Sequence, residues 1–441
     1  MKIKSWFEKY ESRVYRYKSA IVEVDEARKI IASFKDAVAG CKVYLYGAGT
    51  VGRNFVRLFS QLGIHIYGIY DKNIKESKIT NFIIKDITEI KKVQDENVLI
   101  IVSVHRDHFD EIKANLMCLG IADKQVMNGH DIHLLLQSSY CLLLADNPQS
   151  KINLSDCWEC TLLDNQCSSL RYYLMRLNKY KRNSEISTDK IRMIGVVLGN
   201  ICSLKCKNCC ECIPYFDAKK RMFVDAQQIL DDISKLSSAC EFLSILEFVG
   251  GEPFLHPMLK YILEKVLDMK KIGIVHIFTN GTVVPGEELL KALRNERVMV
   301  YISNYQYALS ENLRENRAKT LEKLKSSGIA YFEGKKEDWL DYRSFDRFSY
   351  SQSELERNFA DCFLNECNRL YRGTLYTCPH QYAGVNLELV KPVDGVIDIH
   401  DFTTNELVKK LEEFRALKSI DACMNCKLPY NAEVAISGEQ I

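Results

Sequence analysis

The sequence lacks the features that would assign it to a membrane, secreted or nucleic-acid-binding class. No apolar run approaches the length needed to span a membrane, and no apolar stretch follows the first lysines as it would in a secretory signal. The formal net charge is only +2, which gives no argument for a nucleic-acid or membrane partner. Internal repeats and low-complexity tracts are also absent. We therefore expect a cytoplasmic globular protein.

Cysteine, in contrast, is abundant, with 17 residues in 441. Disulfides are disfavoured in a reducing cytoplasm, so clustered thiols in such a protein indicate metal binding. The thiols cluster at 157–167, 202–212, 362–378 and 423–426. We interpret the isolated cysteines as small buried apolar side chains; these are Cys41, Cys118, Cys141 and Cys240.

The first half of the chain shows a strand, a glycine turn, a helix, a second strand and an acid, in that order. The glycines are Gly47, Gly49 and Gly52, and the acid is Asp71. This order resembles the dinucleotide-binding fingerprint, in which backbone N–H groups and a helix N-terminus meet a pyrophosphate. The alternative is that the glycines serve only the tight turn and close packing. Either way, 41–145 is predicted to be a Rossmann-like domain with a parallel sheet.

A second alternation of strands and helices starts near residue 191. Strands are predicted at 192–198, 243–249, 273–279 and 298–303, with helices between them. Such repeated units predict a partial (β/α)6 barrel of the TIM type, whose chemistry lies in the loops after the strands. A cysteine loop follows the first of these strands and Gly250-Gly251-Glu252-Pro253 follows the second, so both are expected on one face.

The cysteine loop has the spacing C-x3-C-x2-C through Cys202, Cys206 and Cys209. Three thiolates can hold three irons of a [4Fe-4S] cluster and leave the fourth iron open to an added ligand. The alternative is zinc, with Cys210 or Cys212 as a fourth thiolate. The choice between the two rests on Gly250-Gly251-Glu252-Pro253, through the family resemblance given next, which implies the cluster.

Together, the two motifs resemble those of the radical S-adenosylmethionine (SAM) superfamily across about 191–340. The resemblance implies an open-iron [4Fe-4S] cluster, reductive cleavage of bound SAM to a 5′-deoxyadenosyl radical, and a flavodoxin- or ferredoxin-type electron donor. It also implies that Gly250, Gly251, Glu252 and Pro253 contact the methionine part of SAM. Contacts to the SAM ribose and carboxylate are implied for Thr279, Asn280, Ser303 and Asn304. The family's aromatic residue before the third cysteine is here Asn208, which puts the adenine contact in doubt.

The C-terminal cysteines resemble the twitch/SPASM extensions of radical SAM enzymes, which hold auxiliary [4Fe-4S] clusters. The resemblance implies one such cluster, with Cys362, Cys378, Cys423 and Cys426 as ligands. Cys367 competes with Cys362, and a zinc ribbon is the alternative. Cys157, Cys160 and Cys167 are interpreted as structural. The resulting division is a helical segment (1–40), the Rossmann-like domain (41–145), a linker (146–190), the radical SAM core (191–340) and the auxiliary-cluster domain (341–441).

Three functions remain open from the sequence. The first is hydrogen abstraction from a sugar or nucleotide-linked sugar, leading to dehydrogenation, epimerisation or rearrangement, with 41–145 binding the nucleotide. The second is a peptide-modifying radical SAM enzyme, which leaves the glycine turn unexplained. The third is a zinc-stabilised binding protein, which leaves Gly250-Gly251-Glu252-Pro253 without a role. No catalytic acid or base can be named, although Cys212, Tyr305 and His380 lie beside motif residues.

Overall fold

The computed structural model describes most of the chain as two compact units, Met1–Leu177 and Asn178–Ile441. The described residues are 2–15, 23–72, 78–79, 81–92, 97–150, 193–334, 338–342 and 345–441, with Ile152, Leu154, Cys157, Cys160, Cys167 and Tyr173. The predicted linker therefore lies almost wholly outside the described residues. The finer division into five segments stays a prediction.

The first unit is built on a six-stranded sheet in the order β3-β4-β2-β1-β5-β6. All neighbouring pairs are parallel except β3 and β4. Its strands are β1 (Lys42–Tyr46), β2 (Ile66–Asp71), β3 (Lys78–Ile79), β4 (Phe82–Asp86), β5 (Val98–Val102) and β6 (Val126–Asn128). Its helices are α1 (Lys2–Tyr15), α2 (Val24–Val38), α3 (Thr50–Leu62), α4 (Phe109–Cys118) and α5 (Gly129–Asp146). The predicted Rossmann-like parallel sheet is confirmed.

The N-terminal helices share the apolar core of this sheet. Phe34 on α2 is fully buried, and the ring of Trp6 on α1 packs edge-on against it with centroids 4.8 Å apart. The Trp6 indole also donates a hydrogen bond of 3.0 Å to Ser33 Oγ, so its polar end is satisfied. Cys160 and Cys167 pack against the same core, and their interpretation as structural residues stays a prediction.

The second unit contains the remaining elements in chain order. Its strands are β7 (Met193–Val197), β8 (Leu243–Val249), β9 (Ile272–Thr279), β10 (Val298–Ile302), β11 (Tyr331–Glu333), β12 (Trp339–Asp341), β13 (Arg369–Tyr371), β14 (Thr374–Tyr376), β15 (Val396–Asp398) and β16 (Glu433–Ala435). Its helices are α6 (Ala226–Ser238), α7 (Leu259–Asp268), α8 (Glu287–Leu293), α9 (Glu311–Ser326), α10 (Gln352–Asp361), α11 (Pro379–Asn386) and α12 (Thr404–Arg415).

The main sheet of this unit has the order β11-β10-β9-β8-β7-β13-β14-β15. Strands β7 to β11 are parallel neighbours in sequence order, as expected for a partial barrel built from βα units. The prediction of six successive units differs in one respect. The sixth parallel strand is β13, from the cysteine-rich C-terminal part, and it pairs with β7 rather than with β11. The described strands thus form an open row.

The two faces of this sheet differ in character. Alternate residues such as Ile194, Leu246, Phe248 and Ile277 are at most 2% exposed and belong to one apolar core with the surrounding helices. The carboxyl ends of β7, β8 and β9 lead into the loops that the sequence marks as functional, so the fold brings those loops to one edge. Within the described part of the chain, no helix has both the length and the apolar character to cross a membrane.

Candidate functional site

The cysteine loop, defined here as residues 199–212, packs directly against the glycine pair that ends β8. The backbone N–H of Gly251 donates to Gly199 O and that of Glu252 donates to Ile201 O, both at 2.9 Å. A Cβ added to Gly251 would lie 1.9 Å from Ile201 O, and one added to Gly250 would lie 2.5 Å from Gly199 O. Only glycine fits because the loop backbone passes so closely. The two motifs found in the sequence are therefore adjacent in space.

Glu252 ties the end of β8 to the end of β9. Its carboxylate accepts hydrogen bonds from Phe254 N (3.0 Å), from the Thr279 hydroxyl (2.6 Å) and from Asn280 N (2.9 Å). The side chain is only 2% exposed, and this burial raises its pKa to about 7 against the three donors, which lower it. In this structure Glu252 therefore anchors the residues that follow β9. Its implied contact with methionine stays a prediction.

Asn280 extends this connection to the cysteine loop. Its Nδ2 donates to Ser203 Oγ at 3.0 Å and lies 3.7 Å from Cys202 Sγ. Its Oδ1 accepts from the backbone N–H and the hydroxyl of Thr282, at 2.9 and 2.7 Å. Thr282 and Ser203 also share a hydroxyl hydrogen bond of 2.8 Å. One amide side chain thus fixes the first cysteine relative to the β9 loop.

The third strand end contributes an unsatisfied acceptor. Asn304, which follows β10, has a buried Oδ1 without a hydrogen-bond partner among the residues that the structure describes. A buried carbonyl oxygen in that state favours binding of a ligand that carries a donor. Its neighbour Ser303 instead takes part in the sheet, where its N–H donates to Thr279 O at 2.9 Å.

The three thiols of the loop lie in a largely apolar setting formed with Leu204, Leu309 and Trp339. Burial, followed by the charge of Glu252, raises the pKa of Cys202 to about 12. Burial likewise raises the pKa of Cys206 and of Cys209. Thiolates in such a site need the positive charge of a metal to be stable.

These side chains fit an iron–sulfur cluster. The loop offers three thiols in a water-poor setting, and N–H donors lie at two of them, from Leu204 and Gln440. Within the described ranges, no three Cys, His, Asp or Glu side chains lie close enough to share a single metal ion. A cubane is larger than one ion and holds its thiolates further apart, so this observation is compatible with a cluster.

A segment far along the chain completes this loop, although no motif in the sequence points to it. Gln440 forms an isolated antiparallel bridge with Cys206, and Gln440 Nε2 donates to Cys206 Sγ at 3.3 Å. No motif surrounds Gln440, so only the folded chain reveals the contact.

A row of buried polar side chains crosses the sheet opposite its apolar face; we name it the polar row. Arg369 on β13 is in register with Gly195, Gly195 with Glu247, and Glu247 with His276. Glu211 of the cysteine loop pairs with Arg369 across 2.7 Å between Oε1 and Nε. A Cβ on Gly195 would lie 2.6 Å from Arg369 Nη1, so this glycine leaves room for the guanidinium.

Burying the charged side chains of the polar row costs free energy of folding, which indicates that the row has a functional role. Glu211, Glu247, His276 and Arg369 are at most 7% exposed, and buried charges cost several kcal/mol unless they are paired (about 3–5 kcal/mol when one partner is lost). Glu211 Oε2 has no hydrogen-bond partner in the described part of the chain. A sequence signal existed, because Glu247 and His276 interrupt otherwise apolar buried strands.

The C-terminal cysteines surround an apolar cavity, named here the cysteine cavity. Its lining comprises Asn358, Phe359, Cys362, Leu364, Asn365, Cys378, His380, Ile420, Ala422, Cys423, Cys426 and Leu428. All four predicted auxiliary ligands are among them. Cys367 is not: burial raises the pKa of its thiol to about 11, against the charge of Arg369, which lowers it, and its backbone carbonyl accepts a hydrogen bond from Arg369 of the polar row. The structure thus separates Cys362 from Cys367, two residues that spacing alone leaves as competitors.

Local structure directs hydrogen-bond donors at this cavity. Cys378 is the N-cap of α11, and its sulfur accepts from the Gln381 N–H at 3.4 Å. Cys362 follows α10, and its sulfur accepts from the Leu364 N–H at 3.4 Å. Tyr342, buried with an unpartnered hydroxyl among the described residues, has its pKa raised by burial and then by the thiols of both cysteine groups.

The glycine turn of the first unit uses its three glycines differently. A Cβ on Gly52 would lie 2.1 Å from Gly47 O, and one on Gly47 would lie 2.8 Å from Ser103 O, so both are required by packing. Gly49 faces open space. Asp71 accepts a hydrogen bond of 2.7 Å from Ala48 N and so braces the turn itself. Nucleotide binding by these residues stays a prediction.

Comparison with protein families identifies the segment that carries the cysteine loop. Residues 196–332, about a third of the chain, match the family described as the radical SAM superfamily. The chain contains a radical SAM domain. A [4Fe-4S] cluster and SAM are the cofactors of this superfamily, and the match covers the cysteine loop, Gly250-Gly251-Glu252-Pro253 and the strand ends that the sequence marked. A search of curated protein sequences finds no significant match.

Solved radical SAM structures show distant similarity. BtrN in complex with AdoMet and 2-DOIA matches at 15% identity over 57% of this chain and 97% of its own, with a TM-score of 0.32. Streptococcus suis SuiB bound to S-adenosylmethionine matches at 13% identity over 45% and 49%, with a TM-score of 0.27. Native anSMEcpe with bound AdoMet and Cp18Cys peptide matches at 12% identity over 56% of this chain and 93% of its own, with a TM-score of 0.32. At these scores the similarities carry no argument about substrate.

Proposed function

We propose that this chain is a radical SAM oxidoreductase or isomerase of the reducing cytoplasm that acts on a sugar or a nucleotide-linked sugar. The observation that carries the proposal is the hydrogen-bonded assembly of the cysteine loop, the glycine pair after β8 and Asn280 after β9. These are the elements through which a radical SAM domain holds its cofactors. We assign Cys202, Cys206 and Cys209 as the cluster ligands.

The residues of the domain have distinct roles in this proposal. When bound, the cluster and SAM together supply a carbon-centred radical that removes a hydrogen atom from the substrate. Glu252 and Asn280 hold the loop after β9 in place, and Asn304 offers its buried Oδ1 to a donor group of SAM. The apolar residues around the thiols exclude water from the site and so limit side reactions.

The polar row supports a substrate rich in O–H or N–H groups. Arg369 already donates to Glu211 and to the carbonyl oxygens of Cys367 and Asn368. Glu211 Oε2 is a buried acceptor without a partner among the described residues, and the Glu247 carboxylate, whose Oε1 lies 3.5 Å from His276 Nδ1, is a second buried acceptor. A hydroxyl- or amine-bearing ring satisfies these acceptors, whereas a phosphate placed against two carboxylates is repelled. This is the reason for favouring the sugar part of a substrate at the polar row.

The cysteine cavity supports an auxiliary [4Fe-4S] cluster held by Cys362, Cys378, Cys423 and Cys426. Four protein thiolates close a cluster to added ligands, so its role is electron transfer. Tyr342, whose pKa is affected by thiols of both groups, fits a position between the two cysteine groups. For the first unit, nucleotide binding at the glycine turn is a separate proposal, supported by Gly49, which leaves the start of α3 open to a ligand.

The test is SAM cleavage by anaerobically reconstituted protein with dithionite, measured as methionine and 5′-deoxyadenosine. We expect cleavage in the parent and none after Cys202→Ala. Glucosamine is expected to accelerate cleavage more than glucose 6-phosphate, and Glu247→Gln to remove that acceleration. Glu264→Gln is the matched control, because Glu264 lies on the exposed side of α7, where it pairs with Lys260. If glucose 6-phosphate accelerates SAM cleavage and glucosamine does not, the proposed substrate class is contradicted. If the reconstituted protein contains zinc and no iron, the proposed enzyme activity is contradicted.

A further inference from the structure

The segment 437–441 forms an outer wall of the cysteine loop. Lys207 N donates to Glu439 O at 2.7 Å and Ile441 N donates to Lys205 O at 3.0 Å, on either side of the bridge between Cys206 and Gln440. Three consecutive loop residues are thus paired with a strand-like segment that lies more than two hundred residues later in the sequence. The pairing fixes the backbone at the second cysteine.

The Gln440 side chain is oriented by its own contacts. Its Oε1 accepts from Lys205 N at 2.8 Å, which identifies the carbonyl end of the amide. The Nε2 end must then face the other way, where it donates to Cys206 Sγ at 3.3 Å and to Gly438 O at 2.5 Å. Cys206 is only 7% exposed, so this N–H···S contact is shielded from water.

The segment is also anchored on the far side of Gln440. A Cβ added to Gly438 would lie 2.7 Å from Tyr305 Cβ, so the backbone packs closely on that ring. The Tyr307 hydroxyl donates to Ser437 O at 2.8 Å and also contacts the Ser437 hydroxyl. Gln440 is therefore held in place by contacts on both sides, and its amide does not depend on a bound ligand for its position.

We propose that Gln440 is a positioning residue for the cluster, whose amide N–H stabilises the thiolate of Cys206 and raises the reduction potential of the cluster. This inference rests on the proposed function, in which Cys206 is a ligand. Reduction adds negative charge to the cluster and its sulfurs, and a fixed N–H dipole favours the more negative state. The contact makes one-electron reduction, the step that precedes SAM cleavage, easier.

The experiment is a redox titration of the reconstituted full chain, followed by EPR of the signal that SAM perturbs. Gln440→Leu removes both the donor and the acceptor. Gln440→Glu keeps the acceptor for Lys205 N but replaces the donor with a carboxylate. Ile441→Ala is the matched control, because that side chain is 60% exposed and only its backbone contacts the loop. Iron content and thermal melting of each variant are measured in parallel.

We expect the ratio of reduced to oxidised cluster at a fixed applied potential to fall about fivefold in Gln440→Leu, as for loss of one hydrogen bond. We expect this ratio to fall further in Gln440→Glu and to stay unchanged in Ile441→Ala. If the leucine variant does not fold, the glutamate variant carries the test alone. If the Gln440→Glu variant binds its full iron content and the reduction potential of its cluster is unchanged or higher, the proposed role of Gln440 is overturned. Absence of iron from the parent instead overturns the proposed function.

Discussion

Asn280 Nδ2 lies 3.7 Å from Cys202 Sγ and donates at 3.0 Å to the adjacent Ser203, so the loop after β9 is joined to the first cysteine. The backbone N–H of the same residue donates to the buried Glu252 carboxylate at 2.9 Å. Asn280 therefore connects three strand ends through one residue. This relationship explains how motifs separated by almost eighty positions act as one site.

Asn280→Ala is expected to loosen the cysteine loop. The variant loses the donors to Ser203 and Cys202 and the acceptor for Thr282, at a cost of about 1–3 kcal/mol of stability. We expect less iron per chain and SAM cleavage slowed by about tenfold. The control is Asn295→Ala, which removes a comparable contact to Arg297 N before β10. Equal iron contents in the two variants would contradict the anchoring role.

Glu252→Gln tests whether the carboxylate is needed as an acceptor. Three donors converge on the two carboxylate oxygens of Glu252. In the glutamine variant, an amide N–H replaces one of these oxygens and faces a donor instead of accepting from it. We expect destabilisation by about 1–3 kcal/mol, measured by urea unfolding, together with loss of SAM binding. The control is Glu264→Gln, the same change at an exposed carboxylate, which should alter neither the stability nor SAM binding. A fully stable Glu252→Gln protein would show that the network contributes little.

Cys362→Ser and Cys367→Ser form a matched pair for the auxiliary site. Cys362 lines the cysteine cavity, whereas Cys367 does not. We expect Cys362→Ser to reduce bound iron from about eight to about four per chain and Cys367→Ser to leave it near eight. Iron analysis after anaerobic reconstitution provides the measurement. The reverse pattern would assign the ligand to Cys367.

His133 predicts the pH dependence of stability in the first unit. It lies fully buried on α5 against Phe55, and burial lowers its pKa to about 3. An unfolded histidine titrates near 6.5, so the native state binds fewer protons at acid pH than the unfolded state. This contribution is fully present above pH 6.5 and is lost as the pH falls toward 3, by about 2 kcal/mol at pH 5.

Denaturant unfolding of the parent and of His133→Phe, followed at pH 7 and pH 5, measures this effect. The parent should lose more stability than the variant across this interval, because phenylalanine does not titrate. Equal losses in both proteins would exclude His133 as the titrating group.

The sequence predicted elements with strong periodicity or clear caps well. α6 begins after Asp225, whose side chain accepts from Gln227 N and Gln228 N, both within three residues of it. Gly63 ends α3 with φ of +70°, a conformation that glycine adopts readily. In these places local chemistry decides the structure, so one sequence suffices.

Long-range pairing could not be predicted in the same way. The placement of β13 beside β7, and of Gln440 beside Cys206, depends on the packing of segments that share no local signal. Likewise, Cys362 and Cys367 lie five positions apart, yet of the two only Cys362 lines the cysteine cavity. Polar residues inside apolar strands were the one available sign of the polar row.

The most direct test of the central claim is iron and acid-labile sulfide in the anaerobically reconstituted chain, with EPR after dithionite. The parent is compared with a Cys202→Ala/Cys206→Ala/Cys209→Ala variant. We predict about eight irons in the parent, about four in the variant, and an EPR signal perturbed by SAM only in the parent. Zinc without iron, or a signal indifferent to SAM in the parent, would contradict it.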